Sequence, residues 1–331
     1  MVAGQACGSP AVDGRIRRVD RELAARGRRS VAAILALLAF GSLALLQVAR
    51  NRFGFPDDRL FVCLCALPFV LLILWAVREH GRDERFAARF YGAELPAVLE
   101  EAYARYAPRS GGLDPALFGP EETWRLSTTV TFLVLSMGGD SFRAQGIYRL
   151  QREFFKADGH GDPDNDETGS YRVSQHLIWK ARLMGSVPFH MSVRSESGNV
   201  RDAVSDLSAS ILDRLANNGM RTVKTGDAAF DRVVRVCAND KVLAGRFLET
   251  HSRRLVELRG ALGPFSMECG GNVLTLSFAD FAPIDTHNVR STGLPDRLSA
   301  DRVAESARRL DFLRDWLEGF SASIVRGSGV Q

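Results

Sequence analysis

Two long uncharged stretches near the N-terminus constrain this chain more than any other feature. Ser30 to Ala49 is a 20-residue run without a charge, and Leu60 to Val77 gives 18 more. A helix needs about 20 apolar residues to cross about 30 Å of hydrocarbon. Backbone polar groups cannot stay unpaired in lipid, so such runs are expected as helices. Only ten residues, Arg50 to Arg59, separate them, enough for a tight connection. The expectation is therefore a transmembrane helical hairpin over 30–77, with Pro68 kinking its second half.

Arginine placement gives that hairpin an orientation. Arg15, Arg17, Arg18, Arg21, Arg26, Arg28 and Arg29 precede it, and Arg78, Arg82, Arg85 and Arg89 follow it. The connection holds three arginines, two of them offset by Asp57 and Asp58. The positive-inside rule then places both termini in the cytoplasm of a two-pass plasma (inner) membrane protein. Arg28-Arg29 before an apolar run also resembles a twin-arginine export signal. Gln47-Val48-Ala49 is a poor cleavage site, however, and a second span follows at once.

The rest of the chain has globular composition, 46% hydrophobic and 25% charged. Of 43 basic residues only Lys156, Lys180, Lys224 and Lys241 are lysine, which reads as a genomic habit and not as nucleic-acid binding. Five scattered cysteines without a CxxC pair fit a reducing compartment. The organisation expected is a basic cytoplasmic arm at 1–29, the hairpin at 30–77, juxtamembrane amphipathic helices at 78–107 and a soluble α+β domain at 108–331.

Within that domain the elements alternate irregularly. Leu95, Val98, Leu99, Ala102, Tyr103 and Tyr106 trace a helical face. Thr128 to Met137 reads as a strand, and Ser141 to Lys156 is ambiguous. Tyr171 to Leu183 and Val187 to Ser195 read as a hairpin turning near Gly185-Ser186. A helix is expected at Val200 to Ala216, a strand at Val233 to Ala238 and a helix at Asp240 to Leu262. Ser266 to Cys269 and Val273 to Phe278 read as a second hairpin across Gly270-Gly271-Asn272. A last helix, Ala300 to Ile324, carries Val303, Ala307, Leu310, Leu313, Leu317 and Phe320 on one face. Hairpins among helices favour α+β with an antiparallel sheet.

From Thr225-Gly226-Asp227-Ala228-Ala229-Phe230-Asp231 through Ala238-Asn239-Asp240 to Gly271-Asn272-Val273-Leu274-Thr275-Leu276, the chain resembles a family of uncharacterised bacterial membrane proteins. Those proteins pair two N-terminal transmembrane helices with a cytoplasmic α+β domain. The resemblance implies fold and topology, and no activity.

Candidate sites are few. Asp227 and Asp231 could form a carboxylate pair, although Asp227 also suits a turn that caps a helix. Asp162, Asp164 and Asp166 alternate like the start of a calcium loop, but Glu167 and Val173 stand where that loop needs glycine and glutamate. The six histidines show no zinc spacing. Arg78, Arg82, Arg85 and Arg89, spaced 4, 3 and 4, would share a helix face able to meet lipid phosphates or to act as a stop-transfer cluster. No cofactor motif is present. The expected function is a membrane-anchored, non-enzymatic scaffold or interaction protein, with the bilayer and a protein partner or second copy as contacts and no nucleic acid. The alternatives are a tethered enzyme whose site assembles from distant residues, and a two-span sensor-effector.

Overall fold

From Val173 to Ser195 every odd-numbered residue is buried, Gly185 included, and every even-numbered one except Ser192 is not. That period of two makes a single strand with one face on the core. A computed structural model describes residues 11–26, 41, 70, 74, 77–78, 81–106, 113–118, 131–156, 169–195, 220–278, 281, 283–285 and 293–328. In chain order the elements are helix α1 (residues 11–26), helix α2 (81–89), a π-helical turn at Phe90–Glu94 and helix α3 (Leu95–Ala102). Strands β1 (Thr131–Gly138), β2 (Phe142–Lys156), β3 (Gly169–Ser195) and β4 (Arg221–Val223) follow. Helix α4 (Ala228–Val233), strand β5 (Val234–Ala238), helix α5 (Lys241–Leu262), strand β6 (Phe265–Phe278) and helix α6 (Ala300–Ser328) complete the list.

The fold is α+β, with one antiparallel sheet in the order β1-β2-β3-β5-β4 and β6 on the other edge of β3. The 27-residue β3 is the spine. Its first half pairs with β2, from Lys156↔Gly169 to Phe142↔Leu183. Its end pairs with β5, from Met191↔Ala238 to Ser195↔Val234. Along β6 the register slips between Arg182 and Val187 and again between Val187 and Met191. These bulges let one strand serve two sets of neighbours.

Both expected hairpins are therefore corrected. Gly185 does not turn the chain: a Cβ there would meet Ile324 Cγ2 of α6 at 2.7 Å, so the glycine admits the end of that helix against the sheet. Gly270-Gly271-Asn272 lies inside β6 at a bulge, with Gly271 at φ +59°. The inward side chains change there from odd (Phe265, Met267, Cys269) to even (Leu274, Leu276, Phe278).

The helices cover the odd-numbered face of β3. Leu248, Leu255 and Leu258 of α5 and Leu310, Leu313, Leu317 and Phe320 of α6 share one core with Trp179, Leu183, Val187 and Met191. Each fully buried leucine or phenylalanine contributes about 1.5–3 kcal/mol. Buried polar groups are tied in. Tyr148 donates to Gln175 Oε1 at 2.6 Å, and Gln175 Nε2 donates to the Ile284 carbonyl at 3.0 Å. Tyr103 pairs with Ser306 Oγ on α6, and the Tyr91 hydroxyl donates to the Gly293 carbonyl.

The N-terminal segment departs most from expectation. Residues 11–26, read as part of a cytoplasmic basic arm, form a helix whose Val12, Ile16, Val19 and Leu23 lie in the same core. Three of its arginines form ion pairs, Arg18 with Glu94 at 3.0 Å, Arg26 with Asp83 at 2.8 Å and Arg15 with Glu101 at 3.7 Å, while Arg17 and Arg21 donate to backbone carbonyls one turn back. Arg26 also lies over the Phe86 ring at 4.3 Å. Asp20 accepts from the Leu298 amide, joining α1 to the approach to α6.

The two-pass inner-membrane reading, with its cytoplasmic termini, is not upheld. No helix among the described residues is long and apolar enough to cross a membrane. Helices α1 and α2 are amphipathic, bury one face against protein and carry charge on the other. The runs at 30–49 and 60–77 and Pro68 lie almost wholly outside the described residues, as does the helix expected at Val200 to Ala216.

Candidate functional site

Asp227 and Asp231 lie in one turn, and both are engaged in building it. Asp227 is the N-cap of α4, where its carboxylate accepts from the Ala229 and Phe230 amides at 2.8 and 3.2 Å. Asp231 accepts from the Thr225 amide at 3.1 Å and the Thr225 hydroxyl at 3.0 Å. Slight burial pushes the Asp231 carboxyl up, but those bonds, the Gly226 amide and nearby Lys224 outweigh it and hold the group below the usual carboxylate range. Gly226, at φ +82°, lets the chain make the turn. Phe230, 2% exposed, pins it to the core. Asp240 repeats the device at α5, accepting from the Val242 and Leu243 amides.

Asp162, Asp164 and Asp166 lie outside the described residues. Arg78, Arg82, Arg85 and Arg89 are helical and exposed. Arg89 is committed to Glu22 and Glu94. Arg85 bonds the carbonyl one turn back. Among the described residues no group of three His, Cys, Asp or Glu side chains could hold a metal ion.

The histidines are placed by the continuous β3. His176 stands opposite Arg149 of β2. His190 sits at the bend, and a Cβ on Gly270 would meet its ring at 2.1 Å. Asn239 straps that bend, donating to the His190 carbonyl at 3.1 Å and accepting its amide at 2.9 Å.

His251 of α5 is buried between helices. Its Nδ1 contacts the Phe247 carbonyl at 2.8 Å, and its Nε2 contacts Ser323 Oγ of α6 at 2.9 Å. Ser323 Oγ also reaches the Phe320 carbonyl at 2.6 Å. Those three contacts need three protons, whereas a neutral imidazole and one hydroxyl carry two. Burial nevertheless lowers the His251 pKa, helped by Arg254 and opposed by the Phe247 carbonyl. The ring stacks on Phe247 at 4.0 Å and meets Phe320 edge-on. This is a packed helix–helix contact. Cys269 is likewise inert, its thiol pushed up to about 12 by burial.

The other face of the sheet is different. Even-numbered positions of β3 and their partners point away from the helices. Among side chains described there, six are Arg or Lys: Arg143, Arg149, Lys180, Arg182, Arg194 and Arg235. Among the described sheet side chains one carboxylate, Glu268, faces the same way. Arg143 stands directly opposite Arg182, and Arg194 directly opposite Arg235. Between them lie Gln145, Ser174, Ser192, Thr275 and Ser277. Only the turn at 113–118 crosses this face among the described residues. There Leu117 and Phe118 cover Ile147, Asp114 donates its amide to Gln145, and Arg182 donates to the Ala116 carbonyl at 3.2 Å. Lys180 sits over the Phe118 ring at 5.1 Å.

Arg143, Arg182 and Arg194 form no ion pair among the described residues. Arg194 Nη2 is shielded from solvent without a hydrogen-bond partner there. Like charges directly opposite on a sheet repel.

Comparison with family models, curated proteins and solved structures finds no match to this chain. The resemblance to a family of two-span bacterial membrane proteins is therefore not upheld. What remains of it is local: Thr225 to Asp231 is a self-capped turn, and Gly270 to Asn272 is a bulge.

Proposed function

We propose that this chain is a non-enzymatic interaction protein whose working surface is the face of its sheet opposite the helices, and that its partner presents negative charge. One observation carries the reading: two arginine–arginine pairs stand directly opposite on the same face, where six of the described sheet side chains are basic and one is a carboxylate. Such pairs weaken a sheet on their own and become favourable once an anion lies between the guanidinium groups. The capping roles of Asp227 and Asp231 support a structural reading of the turn, since their acceptor capacity is already used on backbone amides and Thr225.

The test is photo-cross-linking in the native cell from probes placed singly at Arg143 and Thr275, and at Arg253 and Glu257 on α5. Adducts formed from the two sheet positions and not from the helix positions support the proposal. Adducts formed equally from both faces, or from the helices alone, overturn it.

A further inference from the structure

Resting on that reading, we infer that the anionic partner is duplex nucleic acid, held by its phosphate backbone on the β2–β3–β5 face without readout of base sequence. A basic sheet face could also receive an acidic protein, and the composition of this face decides between them. Protein interfaces are built around aromatic and apolar anchors in a dry centre. Among the described sheet side chains no Phe, Tyr or Trp points to this face, whose rings are the imidazoles of His176 and His190, and its fully buried apolar residue, Ile147, is already covered by Leu117 and Phe118. What the face offers is guanidinium groups among hydroxyls and amides, namely Gln145, Ser174, Thr275 and Ser277. That mixture bonds phosphate oxygens and positions a duplex without specifying sequence. Among the described sheet residues, the imidazoles of His176 and His190 stand 14 residues apart along β3 (190 − 176) and so form no continuous stacking platform of the kind single strands require.

The geometry fits an extended ligand. The basic positions run along β3 from the Arg149–His176 row, through Lys180 and the Arg143–Arg182 row, to the Arg194–Arg235 row. At about 3.3 Å per residue the strand between the end rows has a contour of roughly 60 Å, shortened by the bulges. Duplex DNA carries one charge per about 1.7 Å of axis, so several phosphates fall within reach of this face.

The full-length protein is titrated, by fluorescence anisotropy, into a labelled 24-base-pair random-sequence duplex across a range of salt concentrations. Poly-L-glutamate is titrated in parallel. The variants are Arg143→Glu with Arg182→Glu, and Arg253→Glu on α5 as control, each confirmed folded by thermal unfolding. The expected result is duplex binding that the double reversal weakens at least about tenfold. The log–log salt slope should fall by about 2, for two lost phosphate contacts, while the control leaves both unchanged. A second random duplex should bind with the same affinity. If poly-L-glutamate binds through Arg143 and Arg182 and the duplex does not, the nucleic-acid assignment fails and the anionic-partner reading survives. If neither polymer binds, or the double reversal changes nothing, both fail.

Discussion

Replacing Gly146 by alanine tests the packing of this sheet at its tightest point. Gly146 of β2 stands opposite Trp179 of β3 and faces the core. A Cβ at Gly146 would lie 2.4, 2.5 and 2.6 Å from three atoms of the Trp179 indole. Carbon atoms pack at about 3.5–4.0 Å, so the ring must retreat by about 1 Å. Trp179 is 0% exposed and has no solvent side to move into. Overpacking of this kind costs about 1–3 kcal/mol. Alanine in place of a strand glycine would otherwise gain about 0.5–1 kcal/mol, so the clash reverses the usual sign. The expected net loss in urea denaturation is about 1 kcal/mol, from a total of about 5–15. Gly245→Ala and Gly260→Ala in α5 serve as controls, because nothing lies within 4 Å of either Cβ. Each should stabilise by up to about 1 kcal/mol through helix propensity. Combining Gly146→Ala with Trp179→Leu should remove most of the alanine's cost, a coupling of about 2 kcal/mol in the cycle. A neutral or stabilising Gly146→Ala, or an unchanged cost in the leucine background, would refute the claim that the indole lies across this glycine.

Other perturbations probe separate parts of the structure. Leu23→Ala, at a residue 0% exposed on α1, should cost about 2–5 kcal/mol by denaturant titration. A loss below about 0.5 kcal/mol would show that α1 is not part of the core. Asp227→Ala removes an N-cap and should cost about 1 kcal/mol while leaving duplex affinity unchanged; a change in affinity with stability intact would return the turn to the list of sites. His251 has a folded-state pKa below its ordinary value, so the unfolded chain takes up the proton first. Its contribution is therefore present above about pH 6.5 and is lost as pH falls through that value toward the lower folded pKa. Urea midpoints from pH 7.5 to 5 should fall more steeply for the wild type than for His251→Gln, and parallel profiles would remove His251 as the cause.

Much of the fold is legible wherever one pattern covers an element from end to end. The helix ending at Leu262 and its Asp240 cap follow from apolar spacing and a capping residue, and α6 from its stripe beginning at Val303. The hairpin expectations fail for an identifiable reason. Gly185-Ser186 is a turn signal by residue type, yet inward parity runs through it from Leu183 to Val187 unchanged. A two-residue reversal is not needed where alternation already continues, and the glycine answers instead to Ile324, 139 positions away. Residue type alone cannot separate a turn from a close approach. Parity can, and in β6 the parity change across Gly270 to Asn272 marks the bulge.

The same limit hides the candidate site and the role of α1. Val12, Ile16, Val19 and Leu23 have helical spacing, but seven arginines between Arg15 and Arg29 dominate that segment and suggest membrane orientation. Their acidic partners, Glu94, Glu101 and Asp83, are at least 57 positions away and are joined to them by tertiary packing. The open face has the opposite history. Arg143, Arg149, Lys180, Arg182, Arg194 and Arg235 form no basic run, so a linear search for a nucleic-acid stripe passes over them. Antiparallel register gathers them: pairing Phe142 with Leu183 brings Arg143 opposite Arg182, and pairing Ser195 with Val234 brings Arg194 opposite Arg235. A one-residue slip in either pairing would send one partner of each pair to the core face. The hydrophobic pattern that keeps Ala181, Leu183, Val193, Val234 and Val236 inward therefore also holds the arginines together. Charge on this face is a consequence of the core's register, so a variant that reverses Arg143 and Arg182 tests function without asking the sheet to pair differently.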